Sequence, residues 1–192
     1  MTQLDEQFWS DRYRNDNTGW DLGQVSTPLK AYFDQLINKD LKILIPGCGN
    51  AYEAAYLHQL GFTDVHVLDL SQEPLNAFIK NNPSFPQEHV HQGNFLKAEG
   101  CYDLIIEQTL FCAIDPSLRQ EYAVAASNQL KEGGKLVGVM FGREFESGPP
   151  FGGTEMEYQK YFTPHFSEVK FEECYNSIEP RKGSELFVQL TK

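Results

Sequence analysis

The stretch Leu41-Lys42-Ile43-Leu44-Ile45-Pro46-Gly47-Cys48-Gly49-Asn50 constrains this chain more than any other. Its apolar residues read as a short strand, and the two glycines as a turn into a helix. A glycine turn of this kind brings backbone N–H groups close to a bound ligand. The next apolar run, Val65-His66-Val67-Leu68-Asp69, ends in a carboxylate. It follows Gly47 at about the 20-residue interval at which an acidic side chain holds a nucleotide ribose. The pair predicts a nucleoside-cofactor site between two strand ends.

Periodicity extends this unit along the chain. Residues 27–38 read as a helix, with Pro28 in its first turn and Leu29, Phe33, Leu36 and Ile37 as one apolar stripe. The first strand covers 41–46, and the helix behind the glycine turn runs to about Leu60, where Gly61 ends it. A second strand at 64–69 leads to a helix capped by Ser71 and broken at Asn81-Asn82-Pro83. Residues 89–95 read as a short strand with its exit loop, and 102–107 as an apolar fourth strand. Asp115-Pro116 opens a helix that ends before Gly133-Gly134, and a fifth strand spans 135–141. The loop 142–153 precedes a capping box, Thr154-Glu155-Met156-Glu157, which predicts a helix over 155–162. Residues 167–174 and 185–191 form a hairpin around Arg181-Lys182-Gly183-Ser184. The expected fold is α/β, a mostly parallel sheet with helices on both faces and a C-terminal antiparallel hairpin, in one domain over 1–192. Ligands bind such sheets beyond the carboxyl ends of the strands.

Composition narrows the partners. A net charge of −11 repels phosphate backbones and anionic membranes, which argues against a nucleic-acid substrate. The four cysteines are widely spaced, as expected of free thiols in a reducing compartment. The N-terminus is polar and acidic, unlike a signal peptide, and no apolar run approaches the ~18 residues of a spanning helix. These features predict a cytoplasmic, soluble protein with a small-molecule partner. His89 and His91 alternate on a strand without a partner cluster of metal-ligand spacing, so no metal is expected.

Several residues point to the cofactor. A dinucleotide turn wants Gly or Ala where Tyr52 stands. The Pro-Gly-Cys-Gly opening, Asp69 and the Asn94-Phe95 pair fit the adenosine half of S-adenosylmethionine better. Asp69 then accepts hydrogen bonds from the ribose, Asn94 meets the adenine edge and Phe95 packs near the ring. Both tryptophans lie before the first strand, with Phe8 and Tyr13. They predict either a helix packed on the body or an aromatic lid, residues 1–30, over a bound cation.

Five motifs occur together and in order: Phe8-Trp9-Ser10-Asp11-Arg12-Tyr13, Thr18-Gly19-Trp20-Asp21-x-Gly23, Pro46-Gly47-Cys48-Gly49, Phe111-Cys112-Ala113-Ile114 and Gly148-Pro149-Pro150-Phe151. The set resembles the thiopurine S-methyltransferase superfamily over nearly the whole chain, above all the plant halide and thiol methyltransferases. The resemblance implies a class I methyltransferase fold and S-adenosylmethionine as donor. It implies donor contacts from Trp9, Tyr13, Trp20, Gly47, Gly49, Asp69, Asn94, Phe95 and Glu107. It assigns Gln108, Phe111, Pro150 and Phe151 to the acceptor, and Arg119 to an electrostatic role near the active site. Tyr13 stands where the plant enzymes carry tryptophan, Asn94 replaces an aspartate, and Glu107-Gln108 replaces Asp-Tyr.

The expected reaction is in-line attack of a thiolate, thiocyanate or halide on the sulfonium methyl. Charge is neutralised in the transition state, so a dry pocket favours it. Thiols titrate near pH ~8.5, and no obligatory base is nominated. An oxygen or nitrogen acceptor, a nicotinamide-dependent oxidoreductase and a noncatalytic nucleoside sensor remain alternatives. Pro149-Pro150-Phe151 is similar to the Asn/Asp-Pro-Pro-Tyr motif of amine-methylating nucleic-acid enzymes, but it follows the fifth strand instead of the fourth.

Overall fold

The computed structural model describes residues 3–192, so the first two residues of the 1–30 lid segment lie outside the described residues. Among the described residues seven strands form one sheet: β1 (Ile43–Pro46), β2 (Val65–Asp69), β3 (Val90–Gln92), β4 (Tyr102–Gln108), β5 (Leu130–Phe141), β6 (Glu168–Glu173) and β7 (Glu185–Thr191). Their spatial order is β3-β2-β1-β4-β5-β7-β6. The first five run parallel, and β7 lies antiparallel between β5 and β6. The helices are α1 (Glu6–Arg14), α2 (Thr27–Phe33), α3 (Tyr52–Gln59), α4 (Gln72–Asn81), α5 (Leu110–Ala113), α6 (Arg119–Asn128) and α7 (Glu155–Phe162).

Both faces of the central strands are apolar because both are covered. Ile43 and Ile45 join Val65, Val67, Leu104 and Ile106 beneath α2, α3 and α4. Leu44, Ile105, Leu136 and Met140 point the other way, under α6 and α7. The period-2 alternation of each strand thus feeds two cores, as the fold class requires.

Two boundaries differ from expectation. The helix expected over 27–38 stops at Phe33, where Leu29 and Phe33 are already fully buried. The backbone then tightens into three-residue turns, Gln35 N–H to Tyr32 O and Leu36 N–H to Phe33 O. Ile37 leaves the stripe and is 92% exposed. The fifth strand begins at Leu130 instead of 135, since Leu130 pairs with Tyr102. Gly133 and Gly134 therefore sit inside it, beside a register shift between Tyr102 and Leu104. There the glycines form a bulge in place of a turn.

Candidate active site

The floor is the turn after β1. Gly47 has φ +58°, and a Cβ there would stand 2.7 Å from Leu110 Cδ1, so only glycine fits without displacing that side chain. Asp69, at the end of β2, accepts the Gly49 N–H on Oδ2 and the Ser71 N–H on Oδ1, each at 2.9 Å. One carboxylate thereby ties the first glycine turn to the cap of α4. Asp69 is 8% exposed, and this burial raises its pKa against the lowering effect of the two N–H groups. Each oxygen keeps a lone pair for a further donor.

The cover comes from the N-terminus. Asp5 caps α1 by accepting the Phe8 N–H at 3.0 Å. Trp9 and Tyr13 each meet Trp20 edge-to-face, with centroids 5.5 and 5.8 Å apart. The Trp20 loop is pinned in place: Asp21 accepts from the side chains of Asn50 and Tyr52, and the Trp20 carbonyl accepts from Arg181 Nη2 at 2.6 Å.

Between floor and cover lies a cavity of about 530 Å³ at the carboxyl ends of the parallel strands. Of the expected site residues it is lined by Trp9, Tyr13, Trp20, Gly47, Asp69, Asn94, Phe95, Gln108 and Pro150. Asn94 spends Oδ1 on the Leu96 N–H (2.9 Å), leaving its NH2 as the free polar end. Phe95 packs on Tyr122, with centroids 5.1 Å apart.

Five expected residues do not line it. Gly49 lies under Tyr13, whose hydroxyl would be 2.8 Å from a Cβ there. Glu107 is fully buried, accepting the Phe111 N–H at 3.1 Å and the Tyr122 hydroxyl. Burial raises its pKa to about 7. Phe111 is also fully buried, edge-on to Tyr122 and Tyr158. Phe151 turns away from the cavity, and its N–H donates to the Cys112 carbonyl at 2.7 Å. Arg119 is 2% exposed; it pairs with Glu157 at 2.6 Å and donates to the Gly152 carbonyl. Its charge holds the proline loop to α7 and faces no open space. For Glu107, Phe111 and Arg119, strand alternation or helix phase directs the side chain into the core.

The structure adds four residues that the sequence reading missed. Arg12, Arg143 and Arg181 line the cavity, as does Thr109. Arg12 was visible three residues after Trp9 on the same helix. Arg143 and Arg181 carry no local signal, because chain reversal brings them in. Thr109 adopts φ +60°, a conformation β-branched residues avoid, at the end of β4.

The residues present fit S-adenosylmethionine. Gln108 Oε1 and Arg12 Nε are buried with no partner in the protein, yet both residues line the cavity. An orphaned acceptor and an orphaned donor match the ammonium and carboxylate of an amino-acid tail.

Comparison with known proteins agrees with this geometry. The family described as Thiopurine S-methyltransferase (TPMT) matches residues 4–190. A probable thiol methyltransferase 2 of Arabidopsis thaliana is 30% identical, over 96% of this chain and 84% of its own. A thiocyanate methyltransferase 1 of Brassica oleracea is 28% identical, over 95% and 83%. Among solved structures, the Burkholderia thailandensis 1,6-didemethyltoxoflavin-N1-methyltransferase, with S-adenosylhomocysteine bound, superposes with a TM-score of 0.73. It is 16% identical, over 97% of this chain and 86% of its own. With a family match over nearly its whole length, the chain belongs to the thiopurine S-methyltransferase family and is an S-adenosylmethionine-dependent S-methyltransferase.

Proposed function

We propose that the acceptor is a small sulfur nucleophile that reaches its anion without a protein base, a thiol or hydrosulfide, with thiocyanate as a further member. One observation carries this reading. Among the described residues, the cavity lining holds arginines, tyrosines and two aspartates but no histidine, lysine or cysteine. Asp69 is committed to two backbone N–H groups, and Asp115 to the backbone and hydroxyl of Ser117. A phenol or an ammonium group would need a base to release its proton, whereas a thiol near pH ~8.5 supplies its own anion.

S-adenosylmethionine supplies an electrophilic methyl group on a cationic sulfonium. The aromatic faces of Trp9, Tyr13 and Trp20 favour such a cation by roughly 0.5–2 kcal/mol each. Asp69 and Asn94 hold the nucleoside, while Arg12 and Gln108 hold the amino-acid end. Arg143 and Arg181 draw in the anionic acceptor. Phe145 and Pro150 wall its approach and keep water out, which aligns the reactants and strengthens electrostatic attraction. The single sheet and the four free cysteines support one catalytic domain working in a reducing cytoplasm. Among the described residues no helix is long and apolar enough to cross a membrane.

The test is a methyl-transfer screen against hydrosulfide, small thiols, thiopurines, thiocyanate, iodide and a phenol. Turnover of sulfur acceptors, rising as the thiolate fraction rises, is expected. Activity confined to the phenol overturns the assignment.

A further inference from the structure

We propose that Asp64, His66 and His89 form a divalent-metal site of the zinc class at the amino ends of β2 and β3. It lies about 10 Å from Asp69 at the cofactor cavity, since His66 precedes Asp69 by three steps along β2 at roughly 3.3 Å each.

Strand geometry brings the ligands together. Side chains alternate, so Asp64 and His66 share one face. Val67 pairs with Val90 in parallel register, which sets His66 beside His89 and puts His91 one step further on. The sequence shows only His89 and His91 as neighbours; the register supplies their missing partners. The His66 and His89 rings lie 4.1 Å apart, and one ligand atom from each of Asp64, His66 and His89 falls within 4.8 Å of the others.

Three further observations favour a cation there. His89 Nδ1 is buried with no hydrogen-bond partner. His66 Nε2 already meets Asp64 Oδ1 at 2.8 Å, while its Nδ1 is backed by His91 Nε2 at 3.0 Å. A ligand histidine is normally oriented by such a partner on its other nitrogen. Asp64 is 41% exposed and gives the ion an entry path. Two imidazoles and one carboxylate suit zinc better than calcium or magnesium. Tetrahedral zinc bonds place ligand atoms about 3.3 Å apart, so the three side chains, with ligand atoms within 4.8 Å of one another, would draw closer on binding. The charge of Lys42, over the Tyr102 ring, reaches the same imidazoles and weakens the site without occupying it.

The ion would staple the three-residue edge strand β3 to β2.

Untagged full-length protein, stripped with chelator, is titrated with Co2+ and Zn2+. One Co2+ per chain is expected, with the visible absorption of a low-coordinate site, and Zn2+ should displace it and raise Tm. Asp64→Asn and His89→Gln should each weaken binding at least tenfold, with no Tm response to Zn2+. His165→Gln, remote on the surface beside Gln120, should bind as wild type. No stoichiometric binding by the wild type, or unchanged affinity in both ligand variants, overturns the proposal. Since Asp64 is partly exposed, Asp64→Asn tests the site even where His89→Gln fails to fold.

Discussion

Glu107 carries an ionisable group into the fully buried layer beneath the cavity, held by Tyr122 and the Phe111 N–H. Its pKa rises from 4.5 to about 7 because burial outweighs those hydrogen bonds. A raised carboxyl contributes stability that is full below pH ~4.5 and is lost as pH rises to about 7. The unfolded chain ionises first over that window. Relative to Glu107→Gln, the wild type should therefore lose about 3 kcal/mol of stability between pH 4.5 and 7.5. Denaturant melts at the two pH values check this, and a pH-independent difference removes Glu107 as the titrating group. Asp69 makes the complementary case. Asp69→Ala strands two backbone donors at about 1–3 kcal/mol each and removes the ribose acceptor. Both Tm and calorimetric donor affinity should fall. A lower Tm with unchanged affinity would confine Asp69 to holding the turn.

At the scale of elements, the cover is a helix docked on α4 through one buried polar contact. Ser10 and Ser71 are fully buried, with their hydroxyls 2.8 Å apart. Ser10 donates to Glu6, so Ser71 donates to Ser10 while accepting the Glu73 N–H. The salt bridge from Arg14 to Glu73 nearby is about half exposed and adds little. Ser10→Ala should loosen α1 by about 1–3 kcal/mol, seen as faster amide exchange over Glu6–Arg14 with the sheet unaffected. Trp20→Ala should keep α1 protected yet raise the donor Kd several-fold, because Trp9 and Tyr13 both rest on that ring. Wild-type donor affinity in Trp20→Ala would leave the aromatics as packing alone.

Across the whole molecule, Arg181 joins the two ends of the chain at the active site. It is 9% exposed, pairs with Glu185 at 3.2 Å and donates to the Trp20 carbonyl at 2.6 Å. Arg181→Ala leaves the buried Glu185 charge unpaired, a loss of about 3–5 kcal/mol. Arg181→Lys keeps the charge but not both directions of the fork. It should retain most of the stability while raising KM for donor and acceptor together, as steady-state kinetics would read. Full activity in the lysine variant would make the guanidinium geometry irrelevant.

Local physics made much of this legible in the sequence. Alternating apolar runs, the glycines after β1, Asp69 and the capping residues Ser71 and Thr154 specify strands, turns and helix starts from neighbouring residues alone. The α/β class and the sheet with its hairpin followed from them. Which way a side chain points relative to a cavity did not. Glu107, Phe111 and Arg119 have polar or aromatic character suited to a site, but strand alternation and helix phase turn them inward. Arg143 and Arg181 enter the site only when the ends of β5 and the hairpin fold over it. The contacts of His66 with His89 depend on the register between two strands. The sequence by itself determined the elements and the chemistry available to them, because those are encoded within a few residues. Only the tertiary structure decided which groups share a cavity, because that depends on contacts between residues far apart in the chain.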